Sequence, residues 1–86
     1  MIDETPEILF PLSSLQDSPV IEIPERLTVL EALVFKQTVG KLLQQDIPHH
    51  QILLDFGKTR FIDSSGIGAL IANLKAAQAK NIELIL

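Results

Sequence analysis

The sequence predicts an α/β domain, a small mixed β-sheet with helices packed on it. Three observations support this fold class. Residues 28–45 and 64–79 carry apolar side chains at helical spacing, a short apolar run follows each of them, and two further strand-like segments precede the first. Since a helix that joins two strands by a crossover makes them parallel neighbours, the pattern indicates a layered arrangement.

Composition limits the classes of protein to consider. A chain of 86 residues with 47% hydrophobic residues is one small globular domain. Its net charge of −4 argues against nucleic acid and anionic membranes as partners. The absence of cysteine excludes a disulfide framework and a thiolate zinc site. Residues 1–7 lack the features of a signal peptide, and no apolar run reaches the ~20 residues that span a bilayer, so we expect a cytoplasmic module without membrane insertion.

Two short segments precede the first helix. Residues 7–10, "EILF", predict a weak strand, and residues 13–18, "SSLQDS", predict a polar turn. Residues 20–23, "VIEI", alternate apolar and polar side chains, which indicates a strand with one wet face. The two strands are expected to form an antiparallel hairpin, although Pro11 weakens its first arm.

The first helix is predicted over residues 28–45. Thr28 and Glu31 match a capping box, in which each side chain satisfies a free backbone donor of the other residue. One stripe of the helix should face the core: Ala32, Phe35, Val39, Leu42 and Leu43. Leu30, Leu33 and Val34 fall outside that stripe. Either a neighbouring segment covers them or they form a partner surface.

The second half of the chain alternates strand, helix and strand. Residues 51–56, "QILLDF", predict a central strand buried on both faces, and residues 82–86, "IELIL", predict the last strand. The helix between them, about 64–79, is expected to turn Ile67, Leu70, Ile71, Leu74 and Ala77 to the core. Its other face carries Gly68, Ala69, Ala72 and Ala76, all small. No segment remains to cover the second face of the sheet, so the sequence is a fragment or a partner supplies the cover.

The segment Asp63-Ser64-Ser65-Gly66 joins a strand to this helix, and it does not resemble a catalytic site. A serine nucleophile needs a base within hydrogen-bond reach, yet His49 and His50 precede a strand that separates them from the turn by roughly 20 Å. The G-x-S-x-G elbow is absent, because Asp63 stands where its first glycine would be. Lys58 is the remaining nearby base and is predicted to be an exposed turn residue. We therefore expect no catalytic residue.

Metal and phosphate sites are also weakly indicated. Adjacent histidines in an extended segment point to opposite faces, so they do not readily share a metal ion. Gly66 and Gly68 lie at a helix N-terminus, which favours anions, but neither the Walker nor the dinucleotide-binding glycine pattern is present. Asp63 would also repel a phosphate bound at the turn. No metal or cofactor is expected.

A simpler interpretation combines a helix cap with a docking surface. Asp63 or Ser64 caps the helix, and the two glycines permit close packing on the sheet. A face of small residues lets the backbone of another protein approach closely. A hydroxyl at its edge can switch that contact, since phosphorylation adds about −1.5 to −2 charges.

The stretch "ILLDFGKTRFIDSSGIGALIANLKAAQAKNIELIL" closely resembles the STAS domain family, shared by anti-sigma factor antagonists and sulphate-transporter tails. That family's pattern is an apolar strand ending in Asp, a turn, an aromatic-apolar pair, then D-S-[ST]-G-[LI]-G opening a helix. Here Asp55 fills the strand end, Phe61-Ile62 the pair and residues 63–68 the signature. The resemblance covers roughly residues 19–86, so residues 1–86 are interpreted as one STAS-like domain with a terminal strand and turn in residues 1–18.

The resemblance implies a bacterial regulatory module in transcription signalling rather than an enzyme. In antagonists of this type, an anti-sigma factor with serine kinase activity binds the unphosphorylated domain and modifies the first Ser after the signature Asp, which is Ser64 here. A separate phosphatase resets the switch. Asp63 would tune phosphotransfer. The residues expected to contact the partner are Asp63, Ser65, Gly66, Ile67, Gly68, Ala69 and Ala72.

This sequence departs from the family in two places. Many phosphorylated members carry an acidic residue just before the first helix, where Thr28 stands here. The family also continues past the last strand with at least one further helix, which this sequence lacks, and the apolar surface left exposed would permit a homodimer. Two alternatives stay open: a non-phosphorylated STAS scaffold or sensory domain, and a small-molecule (nucleotide) binder.

Overall fold

The computed structural model describes residues 8–86, so the signal-peptide argument on residues 1–7 lies outside the described part of the chain. The helices are α1 (Val29–Leu42) and α2 (Ser64–Ala79), with a short 3-10 helix at Pro48–His50. The strands are β1 (Leu12–Leu15), β2 (Ser18–Glu22), β3 (Arg26–Leu27), β4 (Gln51–Asp55), β5 (Phe61–Ile62) and β6 (Glu83–Ile85). The mixed α/β class predicted from the sequence is confirmed.

The antiparallel hairpin is confirmed, but its first arm lies later in the chain than predicted. Residues 8–10 form no strand, and residue 7 is outside the described range. Instead β1, three of whose four residues lie in the segment predicted to be a turn, pairs with β2 from Leu12↔Ile21 to Leu15↔Ser18. Only Gln16 and Asp17 form the turn, both with positive φ (50° and 72°). Such a two-residue left-handed turn matches the twist of the paired strands.

The main sheet has the strand order β1-β2-β4-β6, and β2, β4 and β6 are parallel. Helix α1 connects β2 to β4, and α2 connects β4 to β6, so the two crossovers step across the sheet in the same direction. Because such crossovers are right-handed, both helices pack on one face of the sheet. Within residues 8–86 no helix covers the other face.

A second, two-stranded ribbon lies beside the helix N-termini. β3 and β5 pair in parallel, with Arg26 opposite Phe61 and Leu27 opposite Ile62. The guanidinium of Arg26 stacks over the Phe61 ring at 4.9 Å. Each strand leads directly into a helix, so the ribbon fixes the start of α1 beside the start of α2.

The core lies between the helices and the sheet. The five residues predicted to face it from α1 are all buried: Ala32, Phe35, Val39, Leu42 and Leu43. Phe10 adds to this core from outside any strand, and its ring stacks on Phe35 at 5.9 Å between centroids. The residues just before β1 therefore lie on the helical side of the sheet.

Burial of the central strand differs from the prediction. In β4, Ile52 and Leu54 are buried under the helices, but Leu53 on the opposite face is only half-buried. The prediction that both faces are buried is wrong, because both helices lie on one face. On α1, Val34 packs against the core, whereas Leu30 and Leu33 are 71% and 55% exposed, with no cover from residues 8–86.

Neither helix within residues 8–86 has the length and apolar character needed to cross a bilayer.

Candidate functional site

Asp63 caps α2. Its backbone is extended, and its Oδ1 atom accepts a hydrogen bond from the backbone N–H of Gly66 at 3.1 Å. This bond satisfies one of the free donors at the helix start. Ser64, the first residue of α2, is exposed, and Ser65 is half-buried. The capping residue thus holds the backbone of the turn while the hydroxyl next to it lies in solvent.

Gly66 is buried where α2 comes closest to β3. A Cβ atom at this position would lie 2.3 Å from the carbonyl oxygen of Leu27 and 2.9 Å from Cγ2 of Ile62. No side chain fits at such distances, so the first turn of α2 reaches this depth only because residue 66 is glycine. Gly68, by contrast, is exposed and would place its Cβ in open space. Gly66 is therefore needed for the close packing of α2 on β3, whereas Gly68 is not required by packing.

The structure corrects the predicted core-facing stripe of α2, whereas Gly68, Ala72 and Ala76 of the predicted small-residue face are exposed as expected. The buried side carries Gly66, Ala69, Asn73 and Ala77. Of the residues predicted to face the core, Ile67, Ile71 and Leu74 are exposed by 47%, 48% and 38%, Leu70 is half-buried, and only Ala77 is buried. Small side chains let α2 approach α1 and the β3 backbone closely, and the distance between packed helices depends on the side chains at the contact.

Burial of part of the predicted surface corrects two of the residues predicted to contact a partner. Ala69 is 1% exposed and Gly66 is buried, so neither offers surface to another protein in this structure. The structure leaves five of the predicted set and the predicted phosphoacceptor accessible, with Asp63 and Ser65 half-buried and the rest exposed: Asp63, Ser64, Ser65, Ile67, Gly68 and Ala72. The accessible surface is thus more apolar than the predicted small-residue face.

The N-terminus of α1 lies beside this turn. The backbone N–H of Asp63 donates to the Leu27 carbonyl at 3.4 Å, so Thr28, which caps α1, adjoins the cap of α2. The predicted capping box is present: Oε1 of Glu31 accepts from the Thr28 hydroxyl at 2.6 Å and from its backbone N–H at 3.0 Å. These bonds hold the pKa of Glu31 below its usual 4.5, with the hydroxyl bond as the largest cause.

Apolar side chains are exposed near the starts of both helices. Val29, Leu30 and Leu33 project from the first turns of α1 and are 60%, 71% and 55% exposed. On α2, Ile67 and Ile71 are each nearly half exposed. Large exposed apolar side chains grouped in this way are typical of protein contact surfaces. The sequence left Leu30 and Leu33 as either covered by a neighbouring segment or part of a partner surface, and it predicted Ile67 and Ile71 in the core.

An apolar recess was not predicted from the sequence. It measures about 430 Å³, and Phe56, Ile62, Leu70 and Leu86 line it together with Thr59 and Arg60. Its mostly apolar lining suits an apolar side chain or ligand better than a phosphate. No group of three or more potential metal ligands occurs within residues 8–86.

Comparison with known proteins places this geometry in a family. The model of the STAS domain family matches residues 11–86. Among curated proteins, none matches the sequence. The structure is similar to that of the Bacillus cell fate determinant SpoIIAA in its phosphorylated form, with a TM-score of 0.70 and 22% identity, over 90% of this chain and 69% of that chain. It is similar to the anti-sigma factor antagonist SpoIIAA in its unphosphorylated form, with a TM-score of 0.70 and 19% identity, over 87% and 68%.

The match to the family model agrees with the geometry of the turn that precedes α2. The signature segment caps α2, and the family model covers every helix and strand described above. The likeness to the two SpoIIAA structures shows the fold. The chain therefore belongs to the STAS domain family.

Proposed function

We propose that this STAS domain is a bacterial partner-binding module of the anti-sigma factor antagonist type, switched by phosphorylation of Ser64. One observation carries the proposal: Ser64 is exposed at the first position of α2, directly after the residue that caps the helix. Ser65 is half-buried one position on. Of the two serines, Ser64 is the more exposed and therefore the better candidate for phosphorylation.

The fold tolerates a phosphate at this position. A helix N-terminus has free N–H groups and a positive dipole end, both of which favour an anion. Phosphorylation would therefore leave the domain folded and change mainly the charge of its surface.

The proposed partner surface lies next to the added charge. Ile67 and Gly68 follow Ser64 within one helical turn and are exposed, and Ala72 continues the same helix as a small exposed residue. A dianion at the edge of an apolar contact is costly, because it must lose water without gaining a partner. We infer that the unphosphorylated form binds and the phosphorylated form is released. The partner is a serine kinase of the anti-sigma class, and a phosphatase reverses the reaction. The module acts in the cytoplasm and is not itself an enzyme.

Intact-mass analysis of the protein isolated from the cells that produce it tests the switch. We expect a species heavier by ~80 Da, one phosphate, which fragmentation assigns to Ser64. Ser64→Ala should abolish it and Ser65→Ala should not. A phosphate on Ser65 would overturn the site assignment. No phosphate under varied growth and stress would favour a non-phosphorylated scaffold.

Two glycines give a matched test of the docking surface. Gly68 on α2 and Gly40 on α1 both lie in exposed helical positions where an added Cβ meets nothing within 4 Å. Gly68→Leu should weaken binding of the partner kinase, whereas Gly40→Leu should not. Equal binding by both variants would show that the partner contacts another surface.

A further inference from the structure

The face of the sheet opposite the helices carries an apolar row. Val20, Leu53 and Ile85 lie side by side in register on β2, β4 and β6, and each is half-buried. Adjacent strands are about 4.8 Å apart, so the row extends roughly 10 Å across the sheet. We call this surface the open face. No helix within residues 8–86 packs on it.

Carboxylates flank the row at both ends of the strands. Glu22 and Asp55 are paired in register, one step of the side-chain alternation beyond Val20 and Leu53. Glu83 lies one such step before Ile85, at the opposite end. Because side chains alternate along a strand, all three carboxylates project from the open face. Glu22 makes an ion pair with Lys58 at 3.3 Å, which leaves the face with a net negative charge.

Most of the cationic side chains lie away from the open face. Of the chain's seven lysines and arginines, Lys58 reaches the open face, through its ion pair with Glu22. The other six lie on the helices, at the end of α2, or beside the β3–β5 ribbon: Arg26, Lys36, Lys41, Arg60, Lys75 and Lys80. The domain is therefore electrically asymmetric, with its open face acidic. The negative charge of the open face limits which kind of partner can cover the apolar row.

A second copy of the chain is a poor fit, because a symmetric contact would set carboxylates against carboxylates. A helix is the natural second layer on a sheet of parallel strands. Glu83 pairs with Gln51, which lies four residues before Asp55 on β4, so the two carboxylates are about 13 Å apart along the strands. A helix covers that length with about nine residues. We propose that the open face binds a cationic amphipathic helix of another protein. Its apolar stripe covers Val20, Leu53 and Ile85, and basic residues near both ends of the stripe meet the carboxylates.

This binding surface is separate from the phosphorylation site. Ser64 starts a helix on the opposite side of the sheet, so the open face can be occupied whatever the state of Ser64. The domain would then bind one partner whose binding depends on phosphorylation of Ser64, and on its other side a second partner whose binding does not. The inference does not depend on the proposed switch, since it uses neither Ser64 nor a kinase.

A designed peptide tests the proposal on the full chain. The probe is a helical peptide of about 14 residues, long enough to populate a helix, with one stripe of Leu and Lys near both ends. A peptide of identical composition with Leu and Lys shuffled serves as control. NMR titration should shift the signals of Val20, Leu53 and Ile85 and leave those of α2 unchanged.

Charge variants separate a specific site from general attraction to an acidic protein. Asp55→Asn with Glu83→Gln should weaken binding about fivefold, the effect expected for two exposed charge pairs. Glu25→Gln with Asp46→Asn removes two exposed carboxylates elsewhere and gives the same net charge. This control should bind as the unmodified protein does. Equal weakening in both variants, equal binding of the shuffled peptide, or no shift at the apolar row would overturn the proposal.

Discussion

The hydroxyl of Thr38 accepts a hydrogen bond from the backbone N–H of Phe10 at 3.0 Å, across 28 positions of the chain. The same hydroxyl donates to the carbonyl of Val34 at 2.7 Å, and Thr38 is fully buried. One side chain in the middle of α1 thus anchors the segment that precedes β1. With the anchor in place, the Phe10 ring stacks on Phe35 and closes the core at the side of α1.

Thr38→Val should destabilise the domain by about 1–3 kcal/mol. The change keeps the shape of the side chain but leaves the buried N–H of Phe10 without its acceptor, and an unsatisfied buried donor has a cost of this order. Thr38→Ser, which keeps the hydroxyl, is the control and should lose less. Urea unfolding measures both. Equal loss in the two variants would mean that packing of the methyl group, and not the hydrogen bond, determines the effect.

Gly66→Ala should cost about 1–3 kcal/mol of folding free energy. The new Cβ would lie 2.3 Å from a backbone carbonyl oxygen, so α2 or β3 must shift, and overpacking of this kind destabilises by that amount. Gly40→Ala and Gly68→Ala have free space and should each gain up to about 1 kcal/mol from helix propensity. Thermal unfolding of the three variants compares them. A neutral Gly66→Ala would contradict the close approach of α2 to β3.

Asp17→Gly should stabilise the β1–β2 hairpin by about 0.5–1 kcal/mol. Asp17 has a φ of 72°, a left-handed conformation that glycine adopts without steric cost and that type I′ turns favour at this position. Asp17→Ala should have the opposite sign, because alanine tolerates positive φ less well than aspartate. Chemical unfolding of the two variants measures the pair. A gain in both would indicate an effect of charge rather than of backbone conformation.

Glu31→Gln should reduce stability near neutral pH, and the loss should fade in acid. The pKa of Glu31 is lower in the folded protein than its usual 4.5, chiefly through the Thr28 hydroxyl. The ionised carboxylate therefore stabilises the fold above pH 4.5, and this contribution disappears as the pH falls through the lowered pKa. The difference in unfolding free energy between the two proteins, followed from pH 7 to acid, measures it. A difference that does not change with pH would exclude the charge as its cause.

Local signals predicted the helices well. The capping box at Thr28 and the cap at Asp63 set both starts as expected, and α2 has the predicted bounds, because caps and helical spacing act within a few residues. Strand positions were less predictable. The first strand was expected at residues 7–10 but lies at Leu12–Leu15, because no Gly marked the two-residue turn that follows it. The β3–β5 ribbon escaped prediction because each strand has only two residues.

The faces of α2 were the main error in the candidate site. Two stripes on this helix recur at helical spacing, one large and apolar and one small, and hydrophobicity alone favours the wrong one. Which stripe is buried depends on how closely α1 and β3 approach α2. This approach is a property of the tertiary structure, and Gly66 permits it. The position of Ser64 was nevertheless predictable, since it depends on the cap and not on the faces. The exposure of the residues around it was predicted in part, since Gly68 and Ala72 are exposed as expected and Ala69 is not.

Gly66 and Gly68 stand two residues apart in one signature, yet the structure subjects them to different selection. Substitution of Gly66 would be removed for loss of folding stability, whichever partner the domain serves. Substitution of Gly68 leaves the fold intact and, on the docking surface proposed above, would be selected only through its effect on partner binding. Among descendants of this domain, Gly66 should therefore persist when partners change, and Gly68 should vary with them, so that the second glycine records the history of the interaction.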